Sequence, residues 1–405
     1  MSSQKISRIE FVIILAALFA TIAFAVDAML PAIPQITSTM TPDAPNRAPL
    51  VVTVFVLGMG LGTVFSGAIS DAIGRKGAIV GGALIYIAGA VAAANAPTIE
   101  LLLAARFVQG IGVAGPRIAG MALVRDLFAG RQMAQIVSII MMVFVLVPAA
   151  APYVGALVID LWNWRAVFTA NAVFAGVAAL WLFLRIGETL PPDRRIPFRP
   201  APLIESARLV LSDRHVLLYT GVLTLAFAIL YAMITSIQQI YDVYFDKAAE
   251  FPMWFLITAL VSGVSTALNA AFVVRVGMRR MATSAYIAQT FLSLGVLALF
   301  LSGALPQGAL FPVYFLWNVG IFFMIGMTLG NLNALALQPM GARAGMASSM
   351  ISAISTICGA LLAVPVSTLF DGTPRPLMAG AFVFSAGAWA LMTRARDIPE
   401  PDAAE

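Results

Sequence analysis

Ionisable side chains are scarce in this chain. Only 11% of its 405 residues are charged, and it has one histidine and one cysteine. Soluble domains carry roughly 25% charged residues, so a water-soluble fold is excluded. A lone Cys358, inside an apolar run, rules out an intrachain disulfide framework and reads as a small buried hydrophobe. With His215 as the one imidazole, placed at the start of an apolar run, no cluster of metal ligands can form. None of Lys5, Lys76 and Lys247 follows a glycine, so the Gly-Lys-Ser/Thr phosphate loop is missing and ATP hydrolysis is not expected.

What the chain has is hydrocarbon: 61% of its residues are hydrophobic. They form continuous runs far longer than a strand, which excludes an alternating β-barrel and leaves a polytopic helical membrane protein. A crossing needs about 20 apolar residues. Twelve runs meet this: 9–31, 49–70, 77–96, 100–123, 133–157, 165–186, 215–240, 252–274, 281–303, 309–333, 345–368 and 376–393. Lys5 and Arg8 before the first run resemble a signal peptide. The run extends to Leu30 without a clean cleavage site, so it reads as a retained helix.

The longest polar interruption, 187–214, is rich in Pro and Arg. It divides the chain into a six-helix bundle over 1–186, a linker over 187–214, a second bundle over 215–393 and a tail over 394–405. The acidic end of that tail, Glu400 to Glu405, reads as disordered. With the N-terminus cytoplasmic, eighteen of the 24 Lys and Arg face the cytoplasm and four face outward, while Arg106 and Arg117 lie within a span. This bias supports an even number of crossings with both termini inside. The basic residues thus flank the membrane, and nucleic acid is not an expected partner. Short Gly-plus-basic turns follow spans 2 and 8, Asp71-Ala-Ile-Gly74-Arg75-Lys76 and Arg275-Val-Gly277-Met-Arg279-Arg280. Their equivalent positions point to a duplicated half.

Asp27 is the only acid deep within a hydrophobic run, just before Pro31. A carboxylate in hydrocarbon is costly and marks a functional site. It can also change charge by taking a proton, which makes it a candidate proton carrier. The other reading is a structural ion pair with an intramembrane Arg. Arg106 lies at similar depth; its charge would favour the carboxylate and burial the neutral acid.

Several motifs carry a family resemblance. Gly67-Ala-Ile-Ser-Asp71-Ala-Ile-Gly74-Arg75-Lys76 resembles the loop joining helices 2 and 3 in the major facilitator superfamily, with Ala72 where an Arg is usual. Leu103-Ala-Ala-Arg106-Phe-Val-Gln109-Gly110 is similar to its helix 4 motif. Phe24-Ala-Val-Asp27-Ala-Met-Leu30-Pro31-Ala-Ile-Pro34 resembles helix 1 of drug exporters. Val147-Pro148-Ala-Ala-Ala151-Pro152-Tyr153-Val-Gly155 resembles the antiporter motif, with two prolines and fewer glycines. Ala122-Leu-Val-Arg125-Asp126, Trp164-Arg165-Ala-Val-Phe168, Gly187-Glu188-Thr189-Leu190 and Gly345-Met-Ala-Ser348-Ser349 add to the likeness. Together they look most like the Bcr/CflA branch of the drug–proton antiporters.

The resemblance implies an all-α integral membrane fold of twelve helices in two pseudo-symmetric halves, with substrate held near the midplane. It implies a monomeric exporter of small molecules in the bacterial inner membrane, driven by a proton gradient without another cofactor, with lipid as its surround. Asp27 and Arg106 would couple protons. Gly67, Asp71, Gly74, Arg75 and Lys76 would form a conformational latch, with the glycines allowing close approach and a sharp turn and Asp71 meeting positive charge or a helix N-terminus across the seam. Pro148, Pro152 and Gly155 would bend and seal span 5.

Candidates for substrate contact are Asp27, Phe24, Arg117, Tyr231, Gln238, Trp254, Asn318 and Asn331, with Gln239, Asn269 and Asn333 as further polar lining. Any one of these polar residues can instead be an interhelical hydrogen bond. Arg117 departs from the branch pattern. It follows Arg106 by eleven residues, so the two lie about 20° apart on the helix and roughly 16 Å along it. It favours a rival reading, a proton-coupled symporter importing an organic, possibly anionic, metabolite. An intramembrane enzyme would need a cluster of ionisable groups at one depth, and only one acid and two arginines are present, so no enzymatic activity is expected. A sensor would need a soluble output domain.

Overall fold

A computed structural model describes residues 6–395, less the side chains of residues 134, 141, 144–146 and 341–343. The described residues form helices and no strand. In chain order these are α1 Arg8–Asp27, α2 Ile33–Met40, α3 Leu50–Ile73, α4 Arg75–Ala94, α5 Ile99–Leu127, α6 Gly130–Leu161 and α7 Trp164–Arg185. The helix α8, Pro200–Ser212, lies in the linker. Then follow α9 Arg214–Gln239, α10 Phe251–Val276, α11 Met278–Ser302, α12 Gln307–Leu337, α13 Ala344–Thr368 and α14 Arg375–Arg394. Among the described residues eleven helical spans are long and apolar enough to cross a membrane, the first combining α1 and α2. With α6, which runs helically through Pro148 and Pro152, these make the twelve expected crossings. The expectation for the acidic tail falls outside the described residues.

Helix starts follow from local chemistry. Ser7 caps α1 by accepting from the Glu10 N–H at 3.1 Å, while the Glu10 carboxylate accepts from Arg185 Nη2 at 2.8 Å and Trp181 Nε1 at 3.2 Å. Thr98 and Asn163 cap α5 and α7 in the same way. The turns after α3 and α10 close on Gly74 at φ +98° and Gly277 at φ +89°. A side chain is strained at such angles. Each glycine N–H bonds back four residues, to Ser70 O and to Val273 O. The two halves of the chain therefore share a backbone device as well as a sequence pattern.

The chain packs as two compact units, Met1–Leu203 with Ile234–Leu260, and Ile204–Met233 with Val261–Glu405. The linker contains one of the borders. The end of α9 and the start of α10 group with the first unit, which the span pattern did not foretell; Gln239 Nε2 there donates to Pro45 O at 3.4 Å. The interior of the first unit is aliphatic and aromatic, built by Phe11, Leu15 and Phe19 of α1 with Ile79, Leu123 and Leu182. In the second unit Trp317 of α12 is buried and donates its Nε1–H to Ser293 Oγ of α11 at 3.1 Å.

Candidate functional site

Proline decides where the first crossing breaks. A proline ring collides with the carbonyl four residues earlier and offers no N–H. For Pro31 that carbonyl belongs to Asp27, and α1 ends on Asp27. A 3₁₀ turn, Leu30–Ala32, then leads into α2. The last carbonyls of α1 are thus left without helical donors inside a membrane span.

Arg106 supplies one. Its Nη2 donates to Ala25 O at 2.9 Å, Nε to Val51 O at 3.1 Å and Nη1 to Gln109 Oε1 at 2.6 Å. The guanidinium is 0% exposed and lies 4.3 Å from the Phe55 ring and 5.6 Å from the Phe168 ring. A cation at this end of α1 meets the negative end of the helix dipole. From α4, the Tyr86 hydroxyl donates to Thr21 O at 3.3 Å. Asp27 is 5% exposed and joins no ion pair among the described residues. The alternative reading of a direct Asp27–Arg106 ion pair is therefore not met: Arg106 holds the backbone two residues upstream of Asp27.

The antiporter-like motif reaches the same break. A Cβ on Gly155 would stand 1.9 Å from Ala28 O, so α6 seats backbone to backbone on the residue after Asp27. Phe24, one turn before Asp27, packs its ring 5.1 Å from Phe174 of α7. Asn171, one turn away on α7, is buried with its Nδ2 unpartnered.

The latch residues gather into a polar cluster at one end of the first unit. Arg75 pairs with Asp71 in its own turn and, through Nε, with Asp126 Oδ2 at 3.0 Å. Asp71 is thus paired within its own loop. Glu188 accepts from the N–H groups of Arg75 at 2.9 Å and Lys76 at 3.1 Å, capping α4 with a carboxylate. Thr189 Oγ1 donates to Asp126 Oδ2 at 2.9 Å, and the Lys76 ammonium sits 4.3 Å from the Phe183 ring. Gly67 makes no close approach: no heavy atom lies within 4 Å of where its Cβ would stand. Glu188→Ala should lower the free energy of unfolding by about 1 kcal/mol, the value of an exposed helix cap. Thermal unfolding of the purified protein, compared with Glu188→Gln, measures it.

The other candidates divide. Asn318 is 0% exposed and neither amide atom has a partner among the described residues; the neighbouring Tyr314 is buried as well. Gln238 is buried with Oε1 unpartnered. Tyr231 stacks on Phe227 at 5.6 Å, and Arg117 is half-buried after Pro116 on α5. Asn331 donates to Asn269 Oδ1 at 2.7 Å and to Met327 O, a helix–helix clasp. Asn333 turns back on Leu329 O. Trp254 donates to Glu250 Oε2 at 2.9 Å, which ties its indole to the carboxylate one turn earlier. His215 bonds Leu335 O at 2.7 Å.

The sequence matches the Major Facilitator Superfamily over residues 13–363. The chain belongs to this superfamily. It is 29% identical to a bicyclomycin resistance protein homolog of Haemophilus influenzae over 403 residues, 97% of this chain and 98% of that protein. It is 27% identical to the multidrug resistance protein MdtL of Escherichia coli over 83% of each chain. The crystal structure of a D-xylose–proton symporter superposes with a TM-score of 0.76 at 14% identity, covering 97% of this chain and 99% of that one, a likeness of fold.

Within this major facilitator, three residues of the quoted motifs hold the Arg106 and Arg75 side chains and the start of α4. Gln109 fixes one edge of the Arg106 guanidinium, and its place three residues on, one helical turn, was the available signal. Asp126 and Glu188 complete the Arg75 cluster. No local pattern joins residues 51 and 113 positions apart, so the sequence carried no signal for that cluster.

Proposed function

We propose that this major facilitator exports small molecules, drugs among them, in exchange for protons, with Asp27 as the proton carrier. The carrying observation is a buried carboxylate that joins no ion pair among the described residues, at a proline-made helix break, beside a buried Arg106 engaged by backbone. Broken helices with exposed carbonyls are where membrane transporters bind their ligands. The names of the bicyclomycin and multidrug resistance relatives support drugs as cargo. In this reading Asp27 takes a proton as cargo leaves on one side and loses it as cargo binds on the other. The proton gradient repeatedly biases a two-state equilibrium. The protein works as a monomer in the bacterial inner membrane, with both termini cytoplasmic and the proton gradient as its only energy source.

Arg117 favours the second reading, import of an organic anion together with protons. Proteoliposomes separate the two. Adding a drug to lightly buffered vesicles should drive protons out through an antiporter; co-uptake of drug and protons would reject export.

The unpartnered amide of Asn318 offers a substrate contact in the second unit. Asn318→Leu, which keeps the volume, should leave thermal stability unchanged or raise it by about 1 kcal/mol, since no hydrogen bond is lost. Transport of at least one exported drug should fall. Unchanged efflux across a drug panel would remove Asn318 from the site.

A further inference from the structure

The linker between α7 and α9 carries a surface that neither transport nor the latch uses. The helix α8 has one buried face and an apolar stripe that is exposed. Ser206 and Val210 are buried, while Ile204 and Leu211 point away and are 66% and 55% exposed. Ile204 and Leu211, seven residues apart, share one stripe, and Arg208 lies about 40° from Ile204 on the same side. The acid Glu205 is about 100° round the helix. Exposed Ile196, Phe198 and Arg199 precede α8, and exposed Arg214 follows it. None of the ion pairs among the described residues uses Arg199, Arg208 or Arg214.

Both ends of this segment are tied to helices long and apolar enough to cross the membrane. Ile196 N–H donates to Asp71 O at 3.0 Å, in the last turn of α3. At the other end Asp213 alone separates α8 from α9, and its carboxylate caps His215 N–H at 2.8 Å and Val216 N–H at 3.1 Å. A helix of 13 residues tethered in this way, with an isoleucine and a leucine outward and arginines around them, has the make-up of an interfacial helix. Arginine stems can lie along the acyl boundary while their heads reach phosphate.

We propose that α8 lies in the headgroup layer and binds anionic phospholipid, Ile204 and Leu211 entering the acyl boundary and Arg199, Arg208 and Arg214 holding headgroup phosphates. The charge pattern selects this occupant over a neutral bilayer. Each basic residue at an anionic surface contributes about a fivefold bias.

The test is hydrogen–deuterium exchange of the full chain in nanodiscs of phosphatidylcholine alone or mixed with phosphatidylglycerol. Amides of 200–212 should exchange about tenfold more slowly in the mixed discs, since docking suppresses local opening. The triple variant Arg199→Gln, Arg208→Gln, Arg214→Gln should lose that difference, and the matching Lys variants should keep it, because charge suffices. High salt should weaken the protection. Equal exchange of the natural chain in both discs, or an unaltered difference in the triple Gln variant, would overturn the proposal. Should the Gln variant unfold, shown by fast exchange in α9 and α12, the single Arg208→Gln variant is read instead and must shrink the difference. None of these readouts depends on transport.

Discussion

Asp27→Asn is expected to abolish concentrative transport while leaving the fold intact. Asparagine matches the shape of a protonated carboxyl group and cannot release a proton. One pH unit across the membrane is worth about 1.4 kcal/mol per proton, enough to sustain about a tenfold drug gradient through one-for-one exchange. In the variant the accumulation ratio should fall to about 1 at every pH gradient, since no differential interaction with protons remains to bias the two states. Binding carries a second signature. For a cationic drug, the natural protein should bind more weakly as pH falls and protons occupy Asp27; the variant should bind with the same affinity throughout. Because Arg106 is held by Ala25 O, Val51 O and Gln109 rather than by Asp27, the substitution strands no counter-ion. Thermal stability should therefore be kept. Uphill efflux from proteoliposomes at the natural level would refute the carrier role.

Gly155→Ala is expected to damage folding and transport together. The new methyl would stand 1.9 Å from Ala28 O and 2.7 Å from the Ala28 carbonyl carbon. Neither atom can rotate away, because both belong to the backbone of the break. Restoring contact distance requires α6 to retreat by roughly 1.5 Å. Overpacking of this kind costs about 1–3 kcal/mol or more. The retreat would also loosen the peptide next to Asp27, so efflux should fall further than the loss of folded protein explains. Gly67→Ala is the matched control, with open space around its Cβ and a gain of about 1 kcal/mol in helix propensity. Comparing unfolding temperature and efflux per folded molecule across the two variants measures the effect. A Gly155→Ala protein with natural stability and activity would mean that the seating of α6 does not support the site.

Much of this molecule follows from effects that act within a few residues. Apolar length dictates crossings. Pro31 denies the Asp27 carbonyl its helical N–H donor, and α1 ends there. Gly74 and Gly277 permit the angles that close equivalent turns. The caps at Ser7, Thr98 and Asn163 mark helix starts. Each is steric or torsional, and each can be read along the chain.

Tertiary packing alone chose the partners. Arg106 meets Ala25 across 81 residues, Glu188 meets Arg75 across 113, and Asn331 meets Asn269 across 62. Composition allowed Arg106 either a carboxylate or a carbonyl, and both stood near the end of α1. Only the approach of α5 to α1 and α3 settled it for the carbonyls. The same holds for Trp254, free by sequence to stack on a ligand and tied in the fold to Glu250. A buried donor takes whichever acceptor close packing brings within about 3 Å. That proximity is a property of the assembled helices, not of any stretch of sequence.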